Sequence, residues 1–263
     1  MLSTVAYLAA ACAAGFVAGI LDYGFAMGFG LVAGLVLAGV LGLDPRGVAG
    51  ATALAQVITA IPAVKMHSSL GNVAVEKSRA KVLAALAAAS LVGGVVAGSL
   101  QVEVSREVAS IAYSAGLVIL AITLLTANRR TIKGEGVAKA LILGVVAGAY
   151  KAVIGGGYSV AMSLAQRLLG LDHRSAVALT PLTKLPLFTA IALIYGVARL
   201  LDPVLVTGLC IGAAASIPLA AKALRISSPR SSSIVVSVLL LVVASYRLAL
   251  SLNSFQSLIP LPS

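Results

Sequence analysis

The chain carries the stretch Gly42-Leu43-Asp44-Pro45-Arg46, followed by Thr52-Ala53-Leu54, and repeats it 128 residues later as Gly170-Leu171-Asp172-His173-Arg174, followed by Thr180-Pro181-Leu182. A second pair lies upstream of the first, because Gly15-Phe16-Val17-Ala18-Gly19 recurs 129 residues later as Gly144-Val145-Val146-Ala147-Gly148. Self-similarity at one nearly fixed offset is typical of an internal repeat. We therefore divide the chain into two repeats, residues 1–128 and 129–263, that build a single domain.

The composition indicates that this domain lies in a membrane. Mean hydropathy is +1.08, and 60% of the residues are apolar while only 10% are charged. A soluble core cannot absorb so much apolar surface, so the lipid bilayer must be the solvent. Cys12 and Cys210 both lie in apolar stretches, and they predict neither a disulfide framework nor a metal site.

Apolar runs divide each half into five segments, most of them near the ~20 residues that a helix needs to cross a bilayer. The second run of each half follows the first with no polar loop between them. Each such pair is either two full helices with a tight turn or a re-entrant hairpin that ends inside the membrane. The sequence thus predicts an all-α polytopic membrane protein with broken or re-entrant helices at the repeat starts. The runs cover residues 3–21, 23–43, 47–64, 80–100, 107–127, 137–153, 155–170, 174–198, 203–222 and 232–252.

The basic residues give the orientation. Thirteen of the 19 fall in four connections that this count of segments places on one side: Lys65, Lys77, Arg79, Lys81, Arg129, Arg130, Lys133, Lys139, Arg167, Arg174, Lys222, Arg225 and Arg230. The other side holds only Arg46, Arg106 and Arg199. The positive-inside rule places the basic loops in the cytoplasm and both termini outside the cytoplasmic membrane. The basic loops on the cytoplasmic side, which can also contact anionic lipid, account for most of the net charge of +11. We therefore predict no nucleic-acid partner.

The same count predicts that the two halves are inverted. Arg46 falls outside, whereas its repeat partner Arg174 falls inside. Halves related by a two-fold axis in the membrane plane are typical of alternating-access carriers, whose binding site lies near the midplane between the repeats.

Lys184 is the strongest candidate for a binding residue. It lies in Thr180-Pro181-Leu182-Thr183-Lys184-Leu185-Pro186, well inside an apolar run, where a charge costs at least about 2.5 kcal/mol on insertion scales. The two prolines free backbone groups, and these converge with two hydroxyls and an ammonium, a composition that suits an oxyanion. The repeat partner of Lys184 is Gln56, which Thr52 precedes by one helical turn. The alternative is that Lys184 extends to an interface.

Two further charges, Asp22 and Lys151, are also repeat partners, 129 residues apart, at the break between the first two segments of each half. They are candidates for a buried pair, for two members of a gate or, in the case of Asp22, for a coupling proton site. Alternatively, each faces interfacial water at a helix end.

A glycine run follows Lys151 at once and comprises Gly155, Gly156 and Gly157. Glycines at a helix start expose backbone N–H groups at the positive end of the helix dipole, which makes a cradle for an anion. The equivalent stretch in the first half, Ala26-Met27-Gly28, has only Gly28 in common.

His67, the repeat partner of Tyr195, follows Lys65 at the end of the third segment. We interpret it as a solvated loop histidine or as a gate or proton residue. No constellation in the sequence has the spacing of a metal site or of a nucleophile with its base. We therefore predict no enzyme activity, no catalytic residue, no metal and no cofactor.

The motifs resemble those of the TauE/SafE family of sulfite exporters over nearly the whole chain. The resemblance rests on Gly-x-x-Ala-Gly leading into the glycine run, on Gly-Leu-Asp-x-Arg-x-Ala-Val-Ala at 170–178 with Thr180, on His67 to Gly71, and on the small-residue segment 208–216. It implies a polytopic protein with two homologous halves that moves sulfite, thiosulfate, sulfonates or related organic acids.

The function that follows is a secondary transporter of a small sulfur-containing anion, with or without a coupling proton or cation. A passive anion channel is the first alternative, since the same residues would line a pore. An intramembrane enzyme or a scaffold is a third, but an enzyme lacks its constellation and a scaffold leaves Lys184 unexplained.

Overall fold

The computed structural model describes residues 3–74, 79–99, 106–127 and 136–256, and within these ranges the chain forms helices and turns but no strand. The helices are α1 (Thr4–Phe25), α2 (Phe29–Gly34, continued by a π-helical stretch Leu35–Val40), α3 (Pro45–Ser69), α4 (Ala80–Ser99), α5 (Arg106–Ala127), α6 (Val137–Ile154), α7 (Tyr158–Leu168), α8 (His173–Thr183), α9 (Leu185–Val197), α10 (Pro203–Ile226) and α11 (Pro229–Gln256). Seven stretches of these described residues are long and apolar enough to cross a membrane, with α8 and α9 counted as one. The prediction of an all-α polytopic membrane protein is confirmed.

The repeated Gly-Leu-Asp-x-Arg motif is a helix start in both halves. Asp44 precedes α3, and its carboxylate accepts hydrogen bonds from the N–H groups of Arg46 (3.3 Å) and Gly47 (3.1 Å). Asp172 precedes α8 in the same way and accepts from the N–H of Ser175 at 3.1 Å. A carboxylate at this position satisfies amides that have no partner within the helix, so the motif fixes where both helices begin.

The second helix of each half is short. At 1.5 Å per residue, α2 with its π-helical continuation and α7 are about 18 Å and about 16 Å long, roughly half of the ~30 Å hydrocarbon layer. The turns that precede them meet, because a Cβ built on Gly28 (φ 109°) would lie 3.7 Å from the Cα of Gly157 (φ 73°). This contact favours the alternative in which each pair of helices forms a hairpin whose tip lies inside the bundle.

Long helices of the first half pack against long helices of the second half. α1 packs along α10 and α6 packs along α4, while α5 packs on α11. Glycine allows both close contacts: a Cβ on Gly148 would overlap the backbone of Ser90, and a Cβ on Gly212 would overlap the backbone of Cys12. This is the pairing expected of two related repeats. Their inversion across the membrane remains a prediction.

The third segments of the two halves differ. α3 runs without interruption from Pro45 to Ser69, several residues beyond the expected end at 64. Its counterpart is divided into α8 and α9, and the division falls at Lys184, between Pro181 and Pro186.

Candidate functional site

A buried ion pair lies at the centre of the described bundle. The ammonium Nζ of Lys184 is 2.5 Å from Oδ2 of Asp22, and both side chains are 1% exposed. Lys184 also donates to Oε1 of Gln56 (2.7 Å) and to Oγ of Ser159 (3.1 Å). An ammonium has three protons, so these three acceptors use its full donor capacity.

Local structure holds each partner in place. Asp22 lies in the last turn of α1, and its second oxygen, Oδ1, accepts from the N–H of Gly28 at 3.0 Å, so the carboxylate also anchors the tip of the first hairpin. Gln56 donates from Nε2 to the carbonyl of Thr52, which turns its oxygen toward the ammonium. Lys184 and Gln56 are repeat partners, 128 residues apart, and they contact each other directly.

A cavity of about 610 Å³ adjoins this cluster. Predicted binding residues that line it are Thr52, Gln56, Gly28, Gly155, Gly156 and Gly157. Gln56 and Ser159 belong both to the cavity wall and to the partners of Lys184, so the ammonium lies one hydrogen bond behind the wall. Most of the remaining wall is apolar and comes from α4 and α9.

Lys151 is the charged side chain of the cavity wall itself. It is half-buried, and its ammonium donates to the carbonyl of Gly155. The Nζ atoms of Lys151 and Lys184 lie 5.7 Å and 5.6 Å from the centroid of the same ring, that of Phe188. Both distances are within the range of a cation–π interaction. Asp22 and Lys151, which were candidates for a mutual pair, instead have different partners.

Neither α2 nor α7 is capped by a described side chain, but the residues before them differ in their surroundings. Before α2 the N–H of Gly28 donates to the carboxylate of Asp22. At α7 the residues from Gly157 to Ser159 face the cavity. The first turn of α7 therefore presents the positive end of its dipole to the cavity.

Two predicted binding residues, Thr180 and Thr183, lie apart from the cavity. Both hydroxyls accept from Nε2 of Gln166 at 3.1 Å, and both donate to carbonyls of their own helix. Their bonds join α7 to α8, which is a structural role. They keep Lys184 in position without facing the cavity.

His67 lies away from the cavity, in the closed part of the bundle. The interpretation as a solvated loop histidine is wrong: α3 continues past it, and its side chain is fully buried. Nδ1 of His67 is 3.1 Å from Nδ2 of Asn72, which donates in turn to the carbonyl of Ala221 on α10. The polar residue Lys65 ends the apolar run before the helix ends, which explains the misplaced boundary.

Ser159 and Phe188 were not among the predicted site residues. Ser159 follows the glycine run by two residues, so the same turn that places the glycines at the cavity also places this hydroxyl. Phe188 follows Lys184 by four residues, the spacing that brings side chains to one face of a helix. That spacing was a signal that could have identified it.

Comparison with protein families gives one match. The family model described as sulfite exporter TauE/SafE matches residues 11–247, which is most of the chain. No curated protein and no solved structure matches it.

Proposed function

We propose that this chain, which belongs to the sulfite exporter TauE/SafE family, is a secondary transporter that moves a small sulfur-containing anion across the cytoplasmic membrane by alternating access. One observation carries the proposal. The cavity ends at a cluster in which equivalent residues of the two halves, Gln56 and Lys184, contact each other, and two ammonium groups lie around it. A midplane site between repeats is the common arrangement in such carriers.

The anion would bind at the start of α7. There the N–H groups from Gly157 to Ser159 and the ammonium of Lys151 supply donors and positive charge. The amide of Gln56 and the hydroxyl of Ser159 complete the wall, and Lys184 adds its field from behind them. The ring of Phe188 lies close to both ammonium groups and excludes water from their apolar side.

The cavity extends toward one face of the bundle. Its wall follows the first turns of α3, the end of α4 and the end of α9, up to Ser99 and Tyr195. These ends adjoin the connections that carry Arg46 and Arg199, which the charge bias places outside. We therefore assign this conformation to the outward-open state.

The opposite end is closed by packed side chains. Tyr23 and Thr59 share a hydrogen bond of 2.5 Å. Beyond them Nδ1 of His67 contacts the amide of Asn72, which donates to the backbone of α10. All four side chains are at most 2% exposed. A closed end supports a carrier over a channel and makes His67 the candidate inner gate, with Tyr195 as its equivalent at the open end.

Flux measurements test the proposal. Purified protein in liposomes loaded with sulfite or methanesulfonate should show saturable uptake of the labelled anion, accelerated by the same anion on the far side. Lys151→Gln should reduce this flux by at least about tenfold, because it removes a full charge from the wall. The control is Lys65→Gln, since Lys65 is an exposed lysine on α3.

The channel alternative gives the opposite result in the same assay. Flux that does not saturate and is not accelerated by anion on the far side would indicate a channel rather than a carrier. Absence of flux for every sulfur anion would reject both.

The assigned conformation has its own test. In a background with Cys12 and Cys210 replaced by alanine, Tyr195→Cys should react with a membrane-impermeant thiol reagent added outside, whereas His67→Cys should be protected. Labelling of the cysteine at 67 from outside, with protection at 195, would reverse the orientation.

A further inference from the structure

We infer that Asp22 sets the valence of the transported ion at one negative charge, so that the site is selective for monoanions over dianions. The inference rests on the proposed function and deepens it. It follows from the ion pair of Asp22 with Lys184 and from the separate position of Lys151 in the cavity wall.

The charges at the site can be counted. Of the described side chains at the cavity and in the cluster behind it, Lys184 and Lys151 are positive and Asp22 is negative. Lys184 and Asp22 neutralise each other at 2.5 Å, with both side chains almost fully buried. The acceptor of Lys151 is the carbonyl of Gly155, which carries no net charge. The site therefore has one positive charge in excess.

The excess positive charge matters most when the cavity is closed to water. When the cavity closes, water can no longer screen its charges, and any net charge left inside becomes costly. One negative charge on the substrate brings the sum to zero. A dianion leaves one negative charge uncompensated, unless a proton enters with it. The same oxygens and donors would serve either ion, so the charge sum and not the hydrogen bonding would discriminate between them.

Of these three groups, Asp22 is the one that lowers the sum from two positive charges to one. Without its carboxylate both ammonium groups would be available, and two negative charges would be needed. In the first half the carboxylate of Asp22 binds the N–H of Gly28, just before α2, and the anion is expected to take the equivalent place before α7. One half of the protein thus supplies its own anion, and the other half accepts the substrate.

Methanesulfonate and sulfate test the inference, because they have similar size and shape but carry one and two charges at pH 7.5. Dissociation constants for both would be measured by titration calorimetry of the purified full-length protein. The wild type should prefer methanesulfonate. Asp22→Asn, which keeps an oxygen for the Gly28 N–H, should shift the preference ratio toward sulfate by at least about tenfold.

Two further variants complete a charge series. Lys151→Gln should weaken binding of both anions, and of sulfate more. Asp22→Asn combined with Lys151→Gln restores one excess positive charge and should restore the preference for methanesulfonate, at lower affinity. The matched control is Asp202→Asn, which removes a carboxylate that caps α10 away from the cavity and should leave the ratio unchanged.

The outcomes separate this inference from the proposed function. A wild type that binds sulfate as well as methanesulfonate, or better, overturns the valence inference without any variant and leaves the transporter proposal intact. The same holds if Asp22→Asn folds and its ratio equals that of the wild type. If the wild type binds neither ion and shows no flux of any sulfur anion, the proposed function fails, and the inference with it.

Discussion

The two hairpin tips of this protein share a backbone plan but treat charge in opposite ways. In the first half, Asp22 lies almost fully buried and binds both the Gly28 N–H and the ammonium of Lys184. In the second half, the equivalent residue, Lys151, is half-buried at the cavity and binds a carbonyl of its own turn. The first tip is thus bound by a carboxylate of its own half, whereas the second tip carries an ammonium at the cavity wall. The comparison yields four tests, from the largest expected effect to the smallest.

The largest effect should come from breaking the ion pair on the side of Lys184. Lys184→Met leaves the carboxylate of Asp22 buried without its cation, and removal of one partner of a buried pair typically costs about 3–5 kcal/mol. We expect a large fall in the thermal denaturation midpoint in detergent. Combining Lys184→Met with Asp22→Asn should recover much of the loss, since no unpaired charge remains. Equal stability of the single and double variants would show that the charge is compensated elsewhere.

The next effect concerns what the two halves have in common. Gly148→Ala and Gly212→Ala each place a methyl group against the backbone of the facing helix, and overpacking of this kind costs about 1–3 kcal/mol. The two losses should be similar if the halves are equivalent scaffolds. Gly98→Ala is the control, because a Cβ there meets open space, and a helical alanine should be neutral or stabilising. A loss confined to one half would break the equivalence.

A smaller effect is expected at Ser159, whose equivalent in the first half is Gly30. Ser159→Ala removes one of three acceptors from the Lys184 ammonium, and a hydrogen bond to a charged group contributes about 1.5–3 kcal/mol at most. Water from the adjoining cavity can replace the hydroxyl, so we expect the lower end of this range in thermal denaturation. Ser163→Ala is the matched control, because Ser163 bonds only to a carbonyl of its own helix.

The smallest effect should follow when a residue of the first half is copied into the second. Gln166 corresponds to Leu37, and Gln166→Leu removes two bonds to threonine hydroxyls that keep their own helix carbonyls as partners. Oε1 of Gln166 is buried without a partner, so its removal offsets part of the loss. A change of less than about 1 kcal/mol is therefore expected. A large loss, measured by the same denaturation, would show that these bonds are a major part of the attachment of α7 to α8.

Much of this architecture could be predicted because it depends on local rules. Hydropathy and length identify helices in lipid, and a fixed offset identifies equivalent positions. The offset alone identified Gln56 as the repeat partner of Lys184, and in the structure the two side chains contact each other. A second equivalent pair, Gly28 and Gly157, also meets.

The offset does not predict every contact. Asp22 and Lys151 are equivalent by the offset, but each contacts other partners, and the offset gives no information about which. Thr180 and Thr183 are close to Lys184 in sequence, but the helix break separates their directions. The spacing of residues in the sequence gives neither the angle between α8 and α9 nor the partners of residues that do not contact their own equivalents.

The meeting of the hairpin tips also limits how either tip can change. Gly28 and Gly157 approach each other with bare backbone, and Cδ1 of Leu31 in α2 lies 2.8 Å from where a Cβ on Gly156 would stand. A side chain added at Gly156 would therefore displace Leu31, and Gly28 and Gly157 have positive φ angles that other residues rarely adopt. A substitution in one tip would thus require a matching change in the other.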